Sequence, residues 1–234
     1  MDVTLRILRF NPERDSKSHF ETYHLDAHPT FKILDCLLQL KNMQDGSLTF
    51  RKSCVHGICG SDAMKINGKA ALACQRLVRD YRASKFVIEP LPGFPVLKDL
   101  VVDFSCFFTN LQRILPWFIN DEPKPRGSEQ LQSPKQAEEI LEAVKCILCG
   151  SCAASCPSSW MSLDYLGPAA LLKAFRFIAD SRDKAADERI RVVNSQDGAW
   201  RCHTIFNCVE ACPKEINITD HITRLRKKIF MARI

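Results

Sequence analysis

Three cysteine runs hold the chemistry open to this chain: Cys54-x4-Cys59-x2-Asp62-x11-Cys74, Cys146-x2-Cys149-x2-Cys152-x3-Cys156-Pro157 and Cys202-x5-Cys208-x3-Cys212-Pro213. Thiolates are soft ligands suited to iron in iron–sulfur clusters. The first spacing is that of a [2Fe-2S] loop with one cysteine replaced, and the second is a cluster run whose last cysteine serves a different cluster. The chemistry implied is one-electron transfer.

Laying the third run over the second aligns Cys208 with Cys152 and Cys212 with Cys156, which puts Cys202 opposite Cys146 and Ile205 opposite Cys149. An apolar side chain cannot ligate iron, and an iron without its protein ligand is easily lost from a cubane. The expected sets are therefore Cys146, Cys149, Cys152 and Cys212 for a [4Fe-4S] cluster, and Cys156, Cys202 and Cys208 for a [3Fe-4S] cluster. The crossover of the two final cysteines follows the rule for two-cluster chains.

Other uses of cysteine fit less well. Structural zinc sites close with four ligands, and a run of four ending in Cys-Pro is not a ribbon or finger spacing. Disulfide frameworks belong to short secreted chains; here no signal peptide is recognised and 46% of residues are hydrophobic, so a reducing compartment is expected. Cys36, among helix-spaced leucines, and Cys106, in the apolar stretch from Val101 to Phe108, read as small core residues. Asp62 occupies the third ligand position of the first loop. Its carboxylate can bind ferric iron through oxygen, although oxygen is a harder ligand than thiolate; the alternative is a solvated loop aspartate, with the iron completed by water or another group.

The 234 residues suffice for two modest domains. No stretch reaches the roughly 18 consecutive apolar residues of a membrane span, so any membrane association is expected to be extrinsic. The net charge of +6 is mild, with a basic cluster at Arg224, Arg226, Lys227, Lys228 and Arg233 that suits anionic lipid or an acidic partner. No nucleic-acid-binding motif accompanies it.

The first hundred residues read as β-rich. Strands are expected over Val3 to Phe10, Phe20 to Leu25, Leu48 to Arg51 and Lys85 to Glu89, with a helix from about Thr30 to Met43. Gly57 and Gly60 let backbone amides approach the sulfurs, and a tight hairpin at Asn67-Gly68 returns Cys74 to the cluster loop. A proline cluster at Pro90, Pro92 and Pro95 and a helical pattern after Asp103 divide the chain into domains 1–103 and 104–234. In the second, 120–136 is a polar connector. Ser133, with Pro134 and Gln136, caps a helix over Ala137 to Lys145. Pro168 opens another helix with Ala169, Leu172, Phe175, Phe177 and Ile178 as apolar surface, and Thr219 caps the last, with Ile222, Leu225 and Ile229 on one face.

The segments Arg51-Lys52-Ser53-Cys54, Gly57-Ile58-Cys59-Gly60-Ser61-Asp62, Cys146-Ile147-Leu148-Cys149, Ser155-Cys156-Pro157-Ser158, Asp180-Ser181-Arg182-Asp183 and Arg201-Cys202-His203-Thr204-Ile205 resemble, over nearly the whole chain, the iron–sulfur subunits of succinate dehydrogenase. Fumarate reductase shares that architecture; a free ferredoxin-like carrier is the remaining alternative. Asp62 and Ile205 lie within the family's own variation. The resemblance implies an α+β chain: an N-terminal β-grasp domain of plant-type ferredoxin kind with [2Fe-2S], then an α-helical bacterial-ferredoxin-like domain holding the two cubane-type clusters. It implies a flavoprotein partner that oxidises succinate at FAD, membrane anchor subunits that can carry haem b, and quinone as acceptor. It places Pro157, Trp160, His203 and Ile205 at the quinone pocket, with Met161 standing where many members carry a second tryptophan. The implied location is peripheral, on the cytoplasmic face of a bacterial inner membrane or the matrix face of the inner mitochondrial membrane.

Overall fold

The computed structural model describes residues 1–81, 84–122 and 127–232. The chain separates into two compact units, Met1–Phe104 with Ile147–Ser155, and Ser105–Cys146 with Cys156–Ile234. The main break falls one residue beyond the expected boundary of 103. The segment 147–155 departs from the expected division: Cys149 and Ile147 pack with the first unit's apolar core, and Ala154 packs with Leu91 and Val102.

In the first unit, β1 (Asp2–Arg9) buries Val3, Leu5 and Ile7 on one face, the period-two pattern of a half-buried strand. It pairs antiparallel with β2 (His19–Asp26) and parallel with β5 (Lys85–Glu89), in register Thr4 to Lys85 and Ile7 to Ile88. β3 (Ala63–Ile66) and β4 (Lys69–Leu72) complete a sheet of order β2-β1-β5-β3-β4. Asn67 and Gly68 join them at φ 47° and 84°, the left-handed pair that a two-residue hairpin requires. A small second sheet pairs β6 (Val96–Lys98) with β7 (Val101–Val102).

Helix α1 (Ile33–Met43) covers the core with Ile33, Leu34, Cys36, Leu37 and Leu40. It starts later than Thr30 because the preceding residues are held extended: Phe31 O accepts from Val78 N at 2.8 Å, and Lys32 bridges to Leu77. The strand expected at Leu48 to Arg51 is absent. Asp99 Oδ2 takes the Thr49 N–H at 2.8 Å, and Thr49 O accepts from Leu100 N at 3.2 Å, so side chain and loop replace a ladder. Buried Asp99 also accepts from Arg9 Nε at 3.0 Å and from Phe10 N. Cys36 is in the core as expected, its thiol pushed up to about 11 by burial. A short α4 (Ser151–Ala154) belongs to the same unit.

The second unit is helical. α6 (Gly167–Ile178) is buried on nearly all sides and is packed by α2 (Ser105–Gln112), α3 (Pro134–Val144), α7 (Ala186–Val193) and α9 (Ile218–Met231). α5 (Pro157–Met161) and α8 (Asn207–Glu210) are short. α3 begins on the expected capping box: Ser133 Oγ accepts Gln136 N and Gln136 Oε1 accepts Ser133 N. At α9 the cap is Asn217, whose side chain accepts Asp220 N at 3.1 Å; Thr219, expected to cap, is inside the helix and 2% exposed. Ile222, Leu225 and Ile229 are buried on one face as the spacing predicts. Cys106 is exposed rather than core, because α2 buries only Leu111 and turns the thiol toward Leu163 O. Of the connector, 123–126 lie outside the described residues, as does Arg233 of the basic cluster.

Arg189, fully buried, bonds Asp183 Oδ1 at 2.5 Å and the carbonyls of Ile114, Leu115 and Trp117. Asp183 also accepts from Ile119 N and Ala185 N. Removing one member strands a buried charge, so Asp183→Ala should destabilise the protein by about 3–5 kcal/mol. Thermal unfolding of the variant checks this; a melting temperature equal to the parent's would show that the network is not holding the chain from 114 to 119.

Candidate metal centres

The first run lies in the loop 54–62 and in a short 3-10 turn at Ala73–Gln75 after β4. Helices and strands bond their amides to their own carbonyls, so amides can be directed at a sulfur only where the chain leaves regular structure. This loop turns through positive φ at Val55, Gly57 and Gly60. Cys54 Sγ accepts from the N–H of Ile58 at 3.3 Å and Cys59 at 3.2 Å, and Cys59 Sγ from Cys54 and Ser61, both at 3.5 Å. The amides of His56, Cys59 and Ile58 bring the Cys54 thiol down to about 6, favouring the thiolate that ligates iron. Cys74 is the opposite case: burial, and then the adjacent Asp62 carboxylate, push its thiol up to about 12. A cation within reach of both groups inverts that preference.

Asp62 is 2% exposed, which excludes the solvated-loop alternative. Its Oδ2 accepts from Cys74 N at 2.5 Å, while Oδ1 is buried with no hydrogen-bond partner in the protein. A buried carboxylate oxygen without a donor is costly unless a positive group meets it. Three thiols, directed amides and one orphan oxygen fit a [2Fe-2S] cluster with one oxygen ligand. The glycines leave the necessary room. A Cβ on Gly60, at φ 70°, would lie 2.7 Å from Cys149 Cβ, and one on Gly57, at φ 77°, would meet the Gln75 side chain at 2.2 Å.

The cysteines of the second run are divided. Cys149 and Cys152 are buried in the first unit, whereas Cys146, Cys156 and, from the third run, Cys202, Cys208 and Cys212 belong to the second. The structure brings Cys156, Cys202 and Cys208 around one hollow of about 330 Å³, part of it open to solvent, together with Pro157, His203, Ile205, Tyr165 and Thr219. Burial raises the Cys208 thiol, as do the charges of Cys156 and Cys202, against a hydroxyl contact of 3.5 Å from Thr219 Oγ1. The loop around the hollow is held in left-handed backbone at Thr204 and Phe206, uncommon for these residue types. Arg226 of α9 braces it, donating to Ala199 O at 2.8 Å and to Cys202 O at 2.5 Å. Three thiols with Ile205 beside them fit a three-iron cluster.

Trp160 is not part of this hollow and is 52% exposed on α5, while Pro157, His203 and Ile205 do line it. The basic cluster is partly engaged within its own unit: Lys228 and Arg224 pair with Glu139 at 2.9 and 3.7 Å, and Arg226 holds the loop. Among the described residues, no three His, Cys, Asp or Glu side chains converge as a single metal ion requires. In an iron–sulfur cluster the thiolates bind different irons and stand around a larger body. Tyr165 and Thr219 escape a reading of the sequence: neither belongs to a ligand spacing, and Thr219 resembles a cap.

Two families match. That of the 2Fe-2S iron-sulfur cluster binding domain covers residues 4–109, and that of the 4Fe-4S dicluster domain covers 138–213. The chain is 39% identical to the succinate dehydrogenase iron-sulfur subunit of Coxiella burnetii, over 97% of each chain. It is 42% identical to the mitochondrial succinate dehydrogenase [ubiquinone] iron-sulfur subunit 1 of Oryza sativa, over 96% of this chain and 81% of that one. A chain of the Mycobacterium smegmatis Sdh1 complex in the apo form shares the fold, with a TM-score of 0.89 at 24% identity over 99% of this chain and 96% of that one.

The two loop glycines should differ in tolerance. Gly57→Ala displaces a flexible glutamine side chain, whereas Gly60→Ala meets the Cys149 backbone as well, at 3.0 Å from Cα. Each also places an alanine in left-handed backbone, costing about 1–2 kcal/mol. Iron content and visible absorbance per chain should fall more in Gly60→Ala than in Gly57→Ala; the reverse order would mean that the Gly60 contact does not constrain the loop.

Proposed function

From the premise that the chain belongs to the iron–sulfur subunits of succinate dehydrogenase, we propose that it holds [2Fe-2S] on Cys54, Cys59, Asp62 and Cys74, [4Fe-4S] on Cys146, Cys149, Cys152 and Cys212, and [3Fe-4S] on Cys156, Cys202 and Cys208. The chain is the electron-transfer subunit of that oxidoreductase. When bound, the clusters supply single-electron steps from the FAD of a flavoprotein partner, where succinate is oxidised, to quinone. The observation that carries the reading is the convergence of Cys156, Cys202 and Cys208 on one hollow with Ile205 beside them.

The chain's own residues set the conditions. Amides of the first loop donate to the sulfurs of Cys54 and Cys59, and Asp62 offers the oxygen that has no other partner. Arg226 fixes the Cys202 carbonyl and with it the direction of the third run. The sheet order with α1 against it supports a β-grasp first domain, and the helices around α6 support a bacterial-ferredoxin-like second. No helix among the described residues is long and apolar enough to cross a membrane. Trp160, Met161, Leu163, Ile205 and Phe206 are exposed and apolar, which suits docking on membrane anchor subunits, with or without haem b, and a peripheral position on the cytoplasmic or matrix face. Pro157, His203 and Ile205 line the quinone side of this reading, with Trp160 nearby in sequence on α5. Fumarate reduction as the working direction is not favoured, since both relatives above are named for succinate dehydrogenase.

The purified complex tests the reading. The chain should carry about nine irons and show a three-iron EPR signal when oxidised and a [2Fe-2S] signal after reduction by succinate; a colourless, zinc-loaded chain would overturn it. Asp62→Cys should keep the [2Fe-2S] cluster, because thiolate is the softer ligand, whereas Asp62→Ala should lose up to about two irons or alter that signal. An Ala variant spectroscopically identical to the parent would remove Asp62 from the ligand set.

Ile205→Cys restores Cys-x2-Cys-x2-Cys-x3-Cys-Pro in the third run. The three-iron centre should then gain an iron, lose its signal in the air-oxidised protein and fall in potential. An unchanged three-iron signal would place Ile205 away from the missing corner.

A further inference from the structure

One wall of the three-thiol hollow is not explained by ligation. Tyr165 is 2% exposed and lines the hollow with Cys156, Cys202 and Cys208, yet its hydroxyl has no hydrogen-bond partner in the protein. Buried hydroxyls are ordinarily paired. The residue is not loosely placed: its carbonyl accepts from Asn110 Nδ2 at 3.1 Å, and the N–H of Leu166 donates to Asp197 O at 2.9 Å. Backbone bonds thus hold the residue at the wall of the hollow that the three cysteines share.

We propose that the Tyr165 hydroxyl donates a hydrogen bond to a sulfur of the cluster held by Cys156, Cys202 and Cys208, and thereby raises that cluster's reduction potential. The inference rests on the three-iron reading above. A phenol keeps its proton at neutral pH, since its ordinary pKa is about 10, so the hydroxyl is a donor. A sulfur-rich, electron-dense surface has no proton to give it, which settles the direction of the bond. Thr219 acts differently, since its hydroxyl already meets a ligand sulfur, that of Cys208. Reduction adds one electron to the cluster, and a hydrogen bond to sulfur stabilises that more negative form above the oxidised one. Hydroxyl donation at this wall therefore favours residence of the electron on the three-iron centre.

The test is an EPR redox titration of the purified complex. Tyr165→Phe keeps the ring and removes only the hydroxyl. The three-iron midpoint should fall by up to about 59 mV, a tenfold change in a one-electron equilibrium. The [2Fe-2S] midpoint, measured in the same sample, should not move. A fluorotyrosine placed at 165 has the same shape and is a stronger donor, so it should move the three-iron midpoint upward; this arm stands even if the phenylalanine variant does not load its clusters. An unchanged midpoint in either loaded variant, or a shift shared equally by both centres, would overturn the proposal. A parent complex with no three-iron signal would overturn the cluster reading itself, and the proposal with it.

Discussion

A sulfur that is to carry negative charge inside a protein needs positive partners, and regular secondary structure has none to offer because its N–H groups are already bonded. In the first unit that constraint produces a loop in which the amides of Ile58, Cys59, Cys54 and Ser61 turn toward two sulfurs. The rest of the unit serves to hold the loop. The sheet and α1 provide a rigid base, and the Asn67-Gly68 hairpin returns Cys74 beneath it. Asp99 ties Arg9, Phe10 and Thr49 together where a further strand would otherwise run. Left-handed backbone at Val55, Leu148, Thr204 and Phe206 lies within the cysteine runs.

The second unit meets the same constraint with different groups. Around Cys156, Cys202 and Cys208 the named polar contacts come from hydroxyls and a guanidinium: Thr219 touches Cys208, Tyr165 forms a wall, and Arg226 grips the loop through its carbonyls. These groups sit on separate segments, and α6 gives them a common reference because α2, α3, α7 and α9 all pack on it. Cations that a sequence displays as a basic tail are partly drawn inward, with Arg226 on carbonyls and Lys228 on Glu139. The buried Arg189–Asp183 pair fixes the chain between Ile114 and Ile119 by bonding its carbonyls and an amide directly.

Thiols differ within a centre as well as between the two. In the first, Cys54, met by amides, favours thiolate while burial raises Cys74; in the second, burial raises Cys208. Amide donation to a ligand and hydroxyl donation to a cluster both stabilise negative charge, but the second depends on one side chain and can be changed by removing a single oxygen. The first loop combines both kinds of contact, since the Ser61 hydroxyl also meets Cys59 Sγ, at 3.1 Å, beside the backbone amides.

Local chemistry in the sequence was enough for the elements whose cause is local. β1, β2 and β5 follow alternation, the hairpin follows Asn67-Gly68, α3 follows Ser133 with Gln136, and α9 follows Ile222, Leu225 and Ile229. The cysteine spacings likewise state which thiolates are on offer and where one is missing. What the sequence could not determine depends on groups distant along the chain. Thr49 loses its ladder to Asp99, α1 starts late because Phe31 to Ile33 pair with 76–78, and Cys106 faces outward because α2 buries so little. Residues 147–155 join the first unit through Cys149 and Ile147, which no spacing announces. Only the tertiary structure decided that Asp62 is buried with one oxygen unpaired, and that Tyr165 stands among three sulfurs. A ligand type is a property of one side chain, whereas burial and unmet hydrogen bonding are properties of everything folded around it.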